Sequence, residues 1–587
     1  MELQKLLVER PELNITGHNF KFDSRFLIKA GVDKTLLKSR WTYDSMYLAS
    51  VNTIKPDDLY LNEYEKIRRE INKILPKGKG HRDAGPLSLK VQAPFWLGVP
   101  AFWEATTDHN NIEYVLKDAE YTYWLTQLHH ALVEDEKGLV TAAQLMERAK
   151  VVLEGELTGI KLDLPLLETM TNEYKQELIE IEGRINDNWA EEFKEWRRLQ
   201  ESEIKQKYEQ MARVYADKHN KPYNEIYQKK YVPLLAKALA KIEPLNLSSP
   251  AQLTWLLKDA LGLDITGLDG NESTDKEVLQ MLAASTPEIK DLLAFREKSK
   301  ILTAFLPEYK EFAKYDGRIH TQFNITGART GRTSSSTPNL QQVSRKLRDL
   351  FISDDEDMVL ITRDMSSLEP TLIAYYTEDE NLCDIVLNNK NFHSINTLII
   401  FPELNCEVGE IKEKYSEYRD AAKELGLSVL YGAGANRVHQ SLTKRGFKFT
   451  MERCKAIVAE IRRYYKGVWA FKKELDLLAE SGEIFYNLMG RPLRFLDKDQ
   501  VYMKAFNSLI QGTGSDILMQ ASVDIAKDKT ITPLLWVHDE LVCQVQKPFL
   551  IGAVYSIEAK MTQYDLTNNM GRIQLKVEGK EGRRWSK

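Results

Sequence analysis

The stretch Leu534-Leu-Trp-Val-His-Asp-Glu-Leu-Val-Cys-Gln-Val545 contains two apolar runs that flank the charged triplet His538-Asp539-Glu540. Two strand-like runs joined by so few polar residues predict a β-hairpin with acidic side chains at its turn. Buried neighbouring carboxylates are unfavourable unless a cation or hydrogen-bond donors neutralise them. A divalent metal ion is the usual solution. We therefore expect a second carboxylate to reach this turn from another part of the chain.

The segment Met358-Val-Leu-Ile-Thr-Arg-Asp364 supplies a partner for that turn. A short apolar run that ends in an acid places the acid at a strand end, where active sites of sheet proteins often lie. A lone strand-end aspartate is more often structural than catalytic. Two strand-end carboxylates from distant segments, Asp364 and Asp539, instead predict a two-metal site for an in-line phosphoryl displacement.

Length and composition set the broad class of the protein. The chain has 587 residues, of which 43% are hydrophobic and 28% charged, and this predicts several globular domains. The sequence has no run of 18 or more apolar residues, so no transmembrane helix is predicted. The start of the chain also lacks a signal-peptide pattern. The four cysteines are scattered without a CxxC pair, so we expect a cytoplasmic protein without a zinc site. The net charge of −5 means that any nucleic-acid site must be a local basic cleft.

A second group of residues recurs every four positions. Arg419, Lys423, Leu427 and Tyr431 would form one stripe on a helix that ends at the following glycines, Gly432 and Gly434. The two cations suit phosphates, and the apolar end suits a base or a sugar. An amphipathic helix with solvated cations is the alternative.

Two further segments carry polar side chains in a suggestive order. The loop Arg329-Thr-Gly-Arg332 and its Ser/Thr-rich continuation to Gln342 would grip a sugar-phosphate backbone, or would be an ordinary polar surface loop. In the helical stretch 507–516, Asn507 and Gln511 place two amides on one face. These amides would read base edges or cap neighbouring backbone, and the sequence leaves both options open.

The segment from Trp189 to Glu243 is highly charged and has few aligned apolar positions. It predicts a protruding helical element, for which a solvated helix pair is the plain interpretation. A helix start follows at Ser249-Pro250, since serine suits the N-cap and proline the first helical position.

In this order, the motifs Thr-Gly-Arg with Pro-Asn-Leu-Gln, strand-Asp with Glu, Arg-x3-Lys-x7-Tyr-Gly, Asn-x3-Gln-Gly-Thr and His-Asp-Glu resemble family A DNA polymerases, the bacterial DNA polymerase I type. The resemblance covers residues 296–587, includes the ending Gly579-Lys-Glu-Gly-Arg-Arg-Trp585, and extends weakly to Glu156–Asp163. It implies an α+β multidomain protein with a right-hand fold of thumb, palm and fingers. A truncated ribonuclease H-like exonuclease domain would precede that fold.

The resemblance also implies domain boundaries. Residues 1–133 would be the C-terminal part of a 3′–5′ exonuclease-like domain. Residues 134–325 would be the thumb, with a charged helical insertion at about 189–243. The palm would comprise 326–380 and 501–587, and the fingers 381–500.

The resemblance assigns roles to residues of this chain. Asp364 and Asp539 would hold two Mg²⁺ ions, with Mn²⁺ as a substitute, and Glu540 would support that site. Glu369 would be the steric gate against a ribose 2′-hydroxyl. The incoming dNTP would be contacted by Arg419, Lys423, Leu427, Tyr431 and His393. Lys423 would also protonate the leaving pyrophosphate. The primer-template DNA would be contacted by Arg332, Asn507, Gln511 and His538.

Several positions depart from the family pattern. Leu427 stands where Phe or Tyr is usual, so we expect altered selectivity against dideoxynucleotides, measurable as the incorporation ratio in Leu427→Tyr. Met503 stands where an arginine often occurs, Pro370-Thr371 replaces Leu-Arg, and Asn391-Phe-His393 replaces Asp-Ile-His. These departures suggest a divergent, phage-like member, which would work in the host cytoplasm if phage-encoded.

The amino-terminal third resembles the proofreading exonuclease of the same family in two motifs. Gly17-His-Asn-Phe-Lys-Phe-Asp23 matches the second motif, and Tyr114-Val-Leu-Lys-Asp118 matches the third. The first motif, Asp-x-Glu, does not occur in the 22 residues before Asp23. We therefore expect an exonuclease that is incomplete in this chain. It would be an inactive remnant, or a separate polypeptide would complete it.

The function that follows is DNA-directed DNA polymerase activity by two-metal phosphoryl transfer, with primer-template DNA and dNTPs as partners and no membrane partner. A processivity factor at the thumb insertion is a further possible partner. The alternatives are a non-catalytic DNA-binding subunit of a split polymerase, and a 3′–5′ exonuclease if another chain completes it.

Overall fold

The structure, a computed structural model, describes residues 2–51, 87–99, 112–135, 138–267, 270–283, 285–328, 330–495 and 501–586. The polar, glycine-rich segment Lys77–Gly85, whose sequence predicts a loop, lies outside these residues. No helix in the described ranges is long and apolar enough to cross a membrane. The chain divides into two compact units. The first comprises Met1–Leu164, Phe312–Ala433 and Ile457–Lys587, and the second comprises Pro165–Glu311 and Gly434–Ala456.

In the amino-terminal part of the chain, the described residues form mainly helices, together with three short strands. Its elements are α1 Glu2–Glu9, β1 Ile15–Gly17, α2 Phe20–Lys29, α3 Lys34–Arg40, β2 Trp41–Asp44, α4 Ser45–Val51, α5 Leu89–Leu97, α6 Ile112–Asp135, α7 Leu139–Thr158 and β3 Ile160–Leu162. The strands β1 and β2 pair in parallel.

The next part of the chain, to residue 312, is helical throughout its regular elements. These are α8 Leu164–Asn188, α9 Ala190–His219, α10 Tyr223–Ile226, α11 Val232–Leu239, α12 Pro250–Thr254, α13 Lys276–Leu282, α14 Ile289–Lys300 and α15 Leu306–Phe312, with π-helical turns at Tyr227–Tyr231, Trp255–Ala260 and Ile301–Phe305. The predicted start at Ser249-Pro250 is observed, with Ser249 at the N-cap of α12.

From residue 318 to 493, strands and helices alternate. The elements are β4 Arg318–Ile319, β5 Gln322–Asn324, β6 Ser334–Ser336, β7 Phe351–Ile352, β8 Met358–Met365, α16 Leu368–Thr377, α17 Glu380–Leu387, α18 Phe392–Ile400, α19 Ile411–Lys414, α20 Ser416–Leu430, α21 Ala435–Lys444, α22 Met451–Tyr464, α23 Lys466–Glu480, β9 Phe485–Tyr486 and β10 Pro492–Leu493. Short 3₁₀ turns lie at Leu340–Gln342, Arg345–Leu350 and Pro402–Leu404.

The carboxy-terminal part completes the main sheet. Its elements are α24 Val501–Ile525, β11 Ile531–Val537, β12 Glu540–Gln546, a 3₁₀ turn Lys547–Phe549, α25 Leu550–Thr562, β13 Leu566–Asn568, β14 Gly571–Ile573 and β15 Val577–Gly582.

The main sheet has four antiparallel strands in the order β11-β12-β8-β15. The predicted hairpin is present as β11 and β12, whose last paired residues before the turn are Val537 and Glu540. The neighbouring strand β8 comes from 175 positions upstream, and it pairs Asp364 with Glu540. The sheet therefore brings the two sequence-predicted acidic segments together.

Helix α7 packs directly on this sheet because Gly155 permits a close approach. A β-carbon at Gly155 would lie 2.9 Å from the Trp536 ring and 3.0 Å from the Pro533 carbonyl oxygen. The Trp536 indole is 1% exposed and donates its N–H to the Ser522 hydroxyl of α24 at 2.9 Å. Helices α7 and α24 thus fix the rear of the hairpin.

The second unit has its own helical core. Its buried side chains come from α8 and from the helices that follow the charged segment: Ile181, Ile185, Trp189, Leu247, Leu253, Leu256, Leu257, Ile265, Val278, Leu279, Leu282, Ala283, Ile289, Leu292 and Phe295. The predicted charged element 189–243 consists of α9 to α11 and contributes only Trp189 to this cluster. Helix α9 and the returning helices pack on each other through Tyr208, Tyr215 and Tyr231.

A buried ion network ties the first unit together. Asp516 of α24 is 1% exposed, and Arg148 of α7 is 2% exposed. Arg148 donates to Asp516, and Arg491 donates to the same carboxylate at 2.6 and 2.8 Å. Asn487 adds a fourth bond at 2.8 Å. The two guanidinium groups hold the pKa of Asp516 well below its usual range, despite the opposing effect of burial.

Three local features refine the expectations. Strand β8 continues one residue past Asp364 to Met365. The predicted polar loop from Arg329 to Gln342 includes β6 and a 3₁₀ turn. Gly432, with a φ of 114°, follows the end of α20, whereas Gly434 is extended and precedes α21.

We expect Asp516→Asn to destabilise the protein by about 3–5 kcal/mol, because it leaves two buried guanidinium groups without their counter-charge. The native contribution is present above the pKa of an ordinary aspartate and is lost only as the pH falls through the depressed folded value. Thermal and urea unfolding monitored by circular dichroism would measure the effect. Asp524→Asn, on the same helix and paired with the exposed Lys527, is the matched control and should cost less than about 1 kcal/mol. Equal effects of the two variants would contradict the assignment.

Candidate active site

The hairpin turn and strand β8 place three acidic residues side by side. His538 is exposed and adopts a φ of 57°, so the turn between β11 and β12 consists of His538 and Asp539. The Met365 N–H donates to the Asp539 carbonyl oxygen at 3.1 Å. Asp364 lies directly opposite Glu540, and both Asp364 and Asp539 are half-buried. Backbone hydrogen bonds therefore hold the two predicted metal ligands next to each other at one end of the sheet.

Glu540 differs from its two acidic neighbours because its charge is already satisfied. Its side chain is 2% exposed. One carboxylate oxygen accepts from Arg348 at 2.8 Å, and the other accepts from the Trp585 indole N–H at 2.9 Å. Both carboxylate oxygens of Glu540 are therefore hydrogen-bonded within the protein, and the sequence offered no signal for Arg348.

Glu369 occupies the first turn of α16, close to the hairpin. The Arg332 guanidinium donates to its carboxylate at 2.7 Å. Burial raises the pKa of Glu369, the Asp539 charge raises it further, and Arg332 opposes both. The same charge of Glu369, together with burial, raises the pKa of Tyr431. Arg332, Glu369, Tyr431 and Asp539 thus share one electrostatic neighbourhood.

The predicted cationic stripe lies on α20. Arg419 is half-buried, Lys423 is exposed and Leu427 is half-buried, and all three belong to this helix. Tyr431 follows the last helical residue, and its N–H bonds to the Leu427 carbonyl oxygen at 3.0 Å. The stripe continues through the helix end as the four-residue spacing predicts.

His393 joins this stripe from α18. Burial lowers the pKa of His393 to about 4, and the charges of Lys423 and Arg419 contribute to the lowering. Gly426 permits the close packing of α18 and α20, because a β-carbon there would lie 2.8 Å from the Asn396 side chain. The imidazole is therefore neutral near pH 7 and lies close to both cations.

Within the described part of the chain, three of the residues predicted to contact dNTP or DNA have buried polar atoms without a hydrogen-bond partner. These atoms are His393 Nδ1, Arg419 Nε and Asn507 Oδ1. Most buried polar groups in proteins are paired, so each exception calls for an explanation. A ligand with phosphate, sugar and base atoms offers partners of the required kinds.

Helix α24 carries Asn507 and Gln511 and also anchors the Thr330-Gly331-Arg332 segment. The Ser515 hydroxyl donates to the Gly331 carbonyl oxygen at 2.9 Å. A β-carbon at Gly512 would lie 2.8 Å from the Thr330 carbonyl oxygen, so glycine permits the contact. The backbone next to Arg332 is thereby packed on α24, while Arg329 lies outside the described residues.

The downstream Pro-Asn-Leu-Gln motif connects the same loop to the hairpin. Asn339 accepts from the Gln341 N–H at 3.1 Å, and this fixes the turn. The Gln341 side-chain amide then donates to the Trp536 carbonyl oxygen of β11 at 2.9 Å. The motif has a structural role that its residue types alone did not reveal.

Sequence reasoning also missed Lys472 of α23. This side chain is 3% exposed and donates to the Leu430 carbonyl oxygen at 3.1 Å, at the C-terminal end of α20. Burial lowers the pKa of Lys472 to about 8. Its ammonium also lies 4.8 Å from the centre of the Phe506 ring, which contacts Tyr431. A lysine in an amphipathic helix gives no signal of such a position.

The exonuclease-like residues are dispersed over two helices. Asp23 is exposed in the first turn of α2, and Asp118 is half-buried on α6. Tyr114 also belongs to α6, but its side chain lies outside the described residues. Asp44 accepts backbone N–H bonds from Asn19 at 2.9 Å, Phe20 at 2.7 Å and Met46 at 3.0 Å, and burial raises its pKa to about 6. Asp44 is therefore a structural cap.

No group of three or more His, Cys, Asp or Glu side chains suited to a metal ion occurs among the described residues. The fit of divalent ions rests on the two half-buried carboxylates of Asp364 and Asp539. Carboxylate oxygens are the ligands that Mg²⁺ prefers, and Mg²⁺ usually takes one or two of them with further oxygens from substrate phosphates and water. The donor set is consistent with that preference.

Comparison with known proteins identifies the family and the fold of this chain. Residues 217–587 match the family described as DNA polymerase family A. DNA polymerase I of Aquifex aeolicus is 27% identical over 615 aligned positions, which cover 100% of this chain and 89% of that protein. Thermostable DNA polymerase I of Thermus aquaticus is 30% identical over 328 positions, which cover 52% of this chain and 38% of that protein.

The match covers only part of the length of some other relatives. Thermostable DNA polymerase I of Thermus filiformis is 27% identical over 463 positions, 74% of this chain and only 47% of that protein. The chain thus spans less than half the length of several relatives that it matches. The POL domain of Pol1 from M. smegmatis, in complex with DNA primer-template and dNTP, has a TM-score of 0.70 at 21% identity and covers 99% of this chain and 88% of that one. This likeness establishes the polymerase α+β fold.

We expect Gly426→Ala to destabilise the protein by about 1–3 kcal/mol, because the new methyl group must displace Asn396 and separate α18 from α20. Gly183→Ala in α8 is the matched control, since nothing lies within 4 Å of a β-carbon there. That control should stabilise its helix by about 0.5–1 kcal/mol. Thermal unfolding of both variants measures the direction of each stability change. A stabilising effect of Gly426→Ala would refute the close packing of α18 and α20.

Proposed function

Because this chain belongs to DNA polymerase family A, we propose that it is a DNA-directed DNA polymerase that adds dNTPs to the 3′ end of a primer. The observation that carries the proposal is the pairing of β8 with β12, which places Asp364 and Asp539 side by side. The cationic face of α20 and the neighbouring His393 supply a site for a triphosphate. A non-catalytic DNA-binding subunit would not require this combination of groups.

Asp364 and Asp539 would hold two Mg²⁺ ions, with Mn²⁺ as a substitute. Such ions, when bound, stabilise the attacking and leaving oxygens of a phosphoryl transfer. The two aspartates contribute the ligand oxygens, and the hydrogen bond from the Met365 N–H to the Asp539 carbonyl oxygen keeps the turn in place. Glu540 supports the turn through Arg348 and Trp585.

Arg419, Lys423 and His393 would bind the triphosphate of the incoming dNTP. The buried Arg419 Nε and His393 Nδ1 lack partners in the described part of the chain, so phosphate oxygens would satisfy Arg419, while the neutral imidazole would supply a donor or an acceptor according to its tautomer. Lys423 is exposed and cationic, and it would deliver a proton to the pyrophosphate as that group leaves. Leu427 and Tyr431 would border the sugar and base.

Glu369 would act as the steric gate against a ribose 2′-hydroxyl. Arg332 fixes its carboxylate at 2.7 Å, so the side chain has a defined position beside the aspartates. Arg332, Asn507, Gln511 and His538 would contact primer and template near the new base pair. The exposed His538 and the half-buried amides on α24 offer donors for phosphate, sugar or base-edge atoms.

The amino-terminal part would lack proofreading activity in this chain. Asp44 is occupied by backbone N–H groups, and the other carboxylates assigned by resemblance, Asp23 and Asp118, lie on separate helices. A separate polypeptide that supplies an Asp-x-Glu strand would complete the site. The four free cysteines support a cytoplasmic location.

The helical hairpin α9–α11 would contact duplex DNA. Between residues 205 and 237 the sequence has eight basic residues and three acidic ones, although the whole chain carries a net charge of −5. All eight basic side chains are exposed: Lys205, Lys207, Arg213, Lys218, Lys221, Lys229, Lys230 and Lys237. A local excess of exposed cations favours a phosphate backbone. A processivity factor is the alternative partner for this hairpin.

Primer extension with the pure chain, Mg²⁺ and dNTPs tests the polymerase assignment. We expect template-directed extension by the wild type. Asp364→Asn and Asp539→Asn should each reduce the extension rate by at least about 10²–10³-fold, the scale of losing one group that stabilises transition-state charge. Asp524→Asn removes a half-buried carboxylate of α24 that pairs with Lys527, and it should leave the rate unchanged. No extension by the wild type would end the polymerase proposal.

The same preparation, without dNTPs and with a single-stranded 3′ end, tests the exonuclease. We expect no appreciable degradation, because Asp44 is occupied by backbone N–H groups and the carboxylates assigned by resemblance, Asp23 and Asp118, lie on separate helices. Rapid Mg²⁺-dependent degradation that survives Asp539→Asn would show that the amino-terminal part is active by itself.

Replacement of residues 190–239 by a short Gly-Ser linker tests the hairpin. We expect shorter products per binding event and unchanged addition of a single nucleotide. The salt dependence of duplex binding should weaken, by about 0.9 in the slope for each phosphate contact that is lost. The control deletes no residues and replaces Lys194 and Arg197, which pair with glutamates in α9, by glutamine. Unchanged product length and slope would refute DNA contact, and an effect seen only with added partner protein would favour a processivity factor.

A further inference from the structure

Three carboxylates occupy one row of the main sheet. Glu540 of β12, Asp364 of β8 and Glu578 of β15 are direct cross-strand neighbours. Directly opposed side chains lie on the same face, and like charges in such positions repel. Glu578 is exposed to solvent, whereas Glu540 is 2% exposed. The buried Glu540 carboxylate, next to the two aspartates, therefore needs hydrogen-bond donors that fix its position.

Arg348 and Trp585 supply these donors. Arg348 donates to one oxygen of Glu540 at 2.8 Å, and the Trp585 indole N–H donates to the other at 2.9 Å. The guanidinium also lies 4.3 Å from the centre of the indole ring, so the two donors support each other. Both oxygens of Glu540 therefore accept hydrogen bonds from side chains of the protein.

The indole is held rigidly although it lies near the end of the chain. Trp585 is 0% exposed, and its backbone N–H bonds to the Phe351 carbonyl oxygen at 2.8 Å. The preceding Arg583 carbonyl oxygen accepts from the Ser353 N–H at 2.8 Å, and Arg584 pairs with Asp163 at 2.7 Å. Backbone and side-chain bonds thus fix the position of the single indole N–H that reaches Glu540.

We propose that Trp585 is a positioning residue for the ion site: with Arg348, it holds Glu540 away from the ions so that Asp364 and Asp539 alone provide the carboxylate ligands. The absence of a three-residue metal cluster among the described side chains agrees with this arrangement. The inference rests on the proposed function, because it concerns the ions that the polymerase site would bind.

Loss of the indole N–H has a specific consequence that differs from loss of stability. Glu540 with one donor can turn towards its cross-strand neighbour Asp364 and add a third negative charge to the ion site. Divalent cations then bind more tightly, but Asp539 and its turn lose their position. We therefore expect tighter cation binding together with slower nucleotide addition. Loss of a tryptophan with only a structural role would not tighten cation binding while slowing nucleotide addition.

The test is Trp585→Phe, which keeps an aromatic ring and removes the N–H. Titration of Mn²⁺ against the protein alone, followed by electron paramagnetic resonance, should show binding tightened by about 3-fold or more. Single-nucleotide extension should slow by about 10–10²-fold, the factor that corresponds to a hydrogen bond to a charged group. The KM for dNTP should change by less than about 2-fold, because α20 is not touched.

Trp536→Phe is the matched control. Its indole is equally buried in the same sheet, but its N–H bonds to the Ser522 hydroxyl at 2.9 Å. It should lower thermal stability without moving Mn²⁺ binding. The double variant Trp585→Phe/Glu540→Gln removes the released charge and should return Mn²⁺ binding towards the wild-type value. Should Trp585→Phe not fold, Arg348→Lys removes the other bond and should shift Mn²⁺ binding in the same direction.

The outcomes separate this inference from the proposed function. Wild-type Mn²⁺ binding in Trp585→Phe, or an equal shift in Trp536→Phe, overturns the positioning role while polymerase activity stands. A wild-type protein that binds Mn²⁺ but does not extend primers ends the polymerase proposal, and the tighter binding in Trp585→Phe still supports the role of the indole.

Discussion

The antiparallel pairing of β8 with β12 is the constraint on which the rest of the site depends. It joins segments 175 positions apart and sets Asp364 opposite Glu540, with Asp539 in the adjoining turn. A shift of one residue in this register would turn every side chain of β8 to the other face and separate the carboxylates. Helix α7, held close by Gly155 and by the Arg148–Asp516 pair, stabilises the sheet that maintains this register.

The distribution of charge explains how so many ionisable groups coexist around that pairing. Three acids of the first unit are paired with cations: Asp516 with Arg148 and Arg491, Glu540 with Arg348, and Glu369 with Arg332. The carboxylates of Asp364 and Asp539 are half-buried. Under the proposed function, the cations on α20 would bind phosphate and the two aspartates would bind metal ions, because these ligands require opposite protein charges.

Local patterns predicted the elements that carry chemistry, because each depends on short spacing. The hairpin at Val537–Glu540, the strand that ends near Asp364, and the four-residue stripe on α20 all follow from residues close in sequence. The partners of Glu540 could not be predicted, since Arg348 lies in a 3₁₀ turn 192 positions away and no periodicity links the two. The burial of Lys472 and of the Asp516 network could not be predicted for the same reason, because burial of a charge depends on tertiary structure.

Two kinds of preorganisation meet in this site, and they imply different behaviour. The carboxylate end is fixed by backbone hydrogen bonds of a four-stranded sheet, so its geometry is complete before any ligand binds. The α18–α20 side is held by a glycine contact and leaves His393 Nδ1 and Arg419 Nε without partners in the described part of the chain. Unsatisfied buried groups gain more from a ligand than satisfied ones do. Under the proposed function, an incoming nucleotide would gain affinity from these two atoms, and the backbone-fixed sheet end would provide the position against which it is aligned.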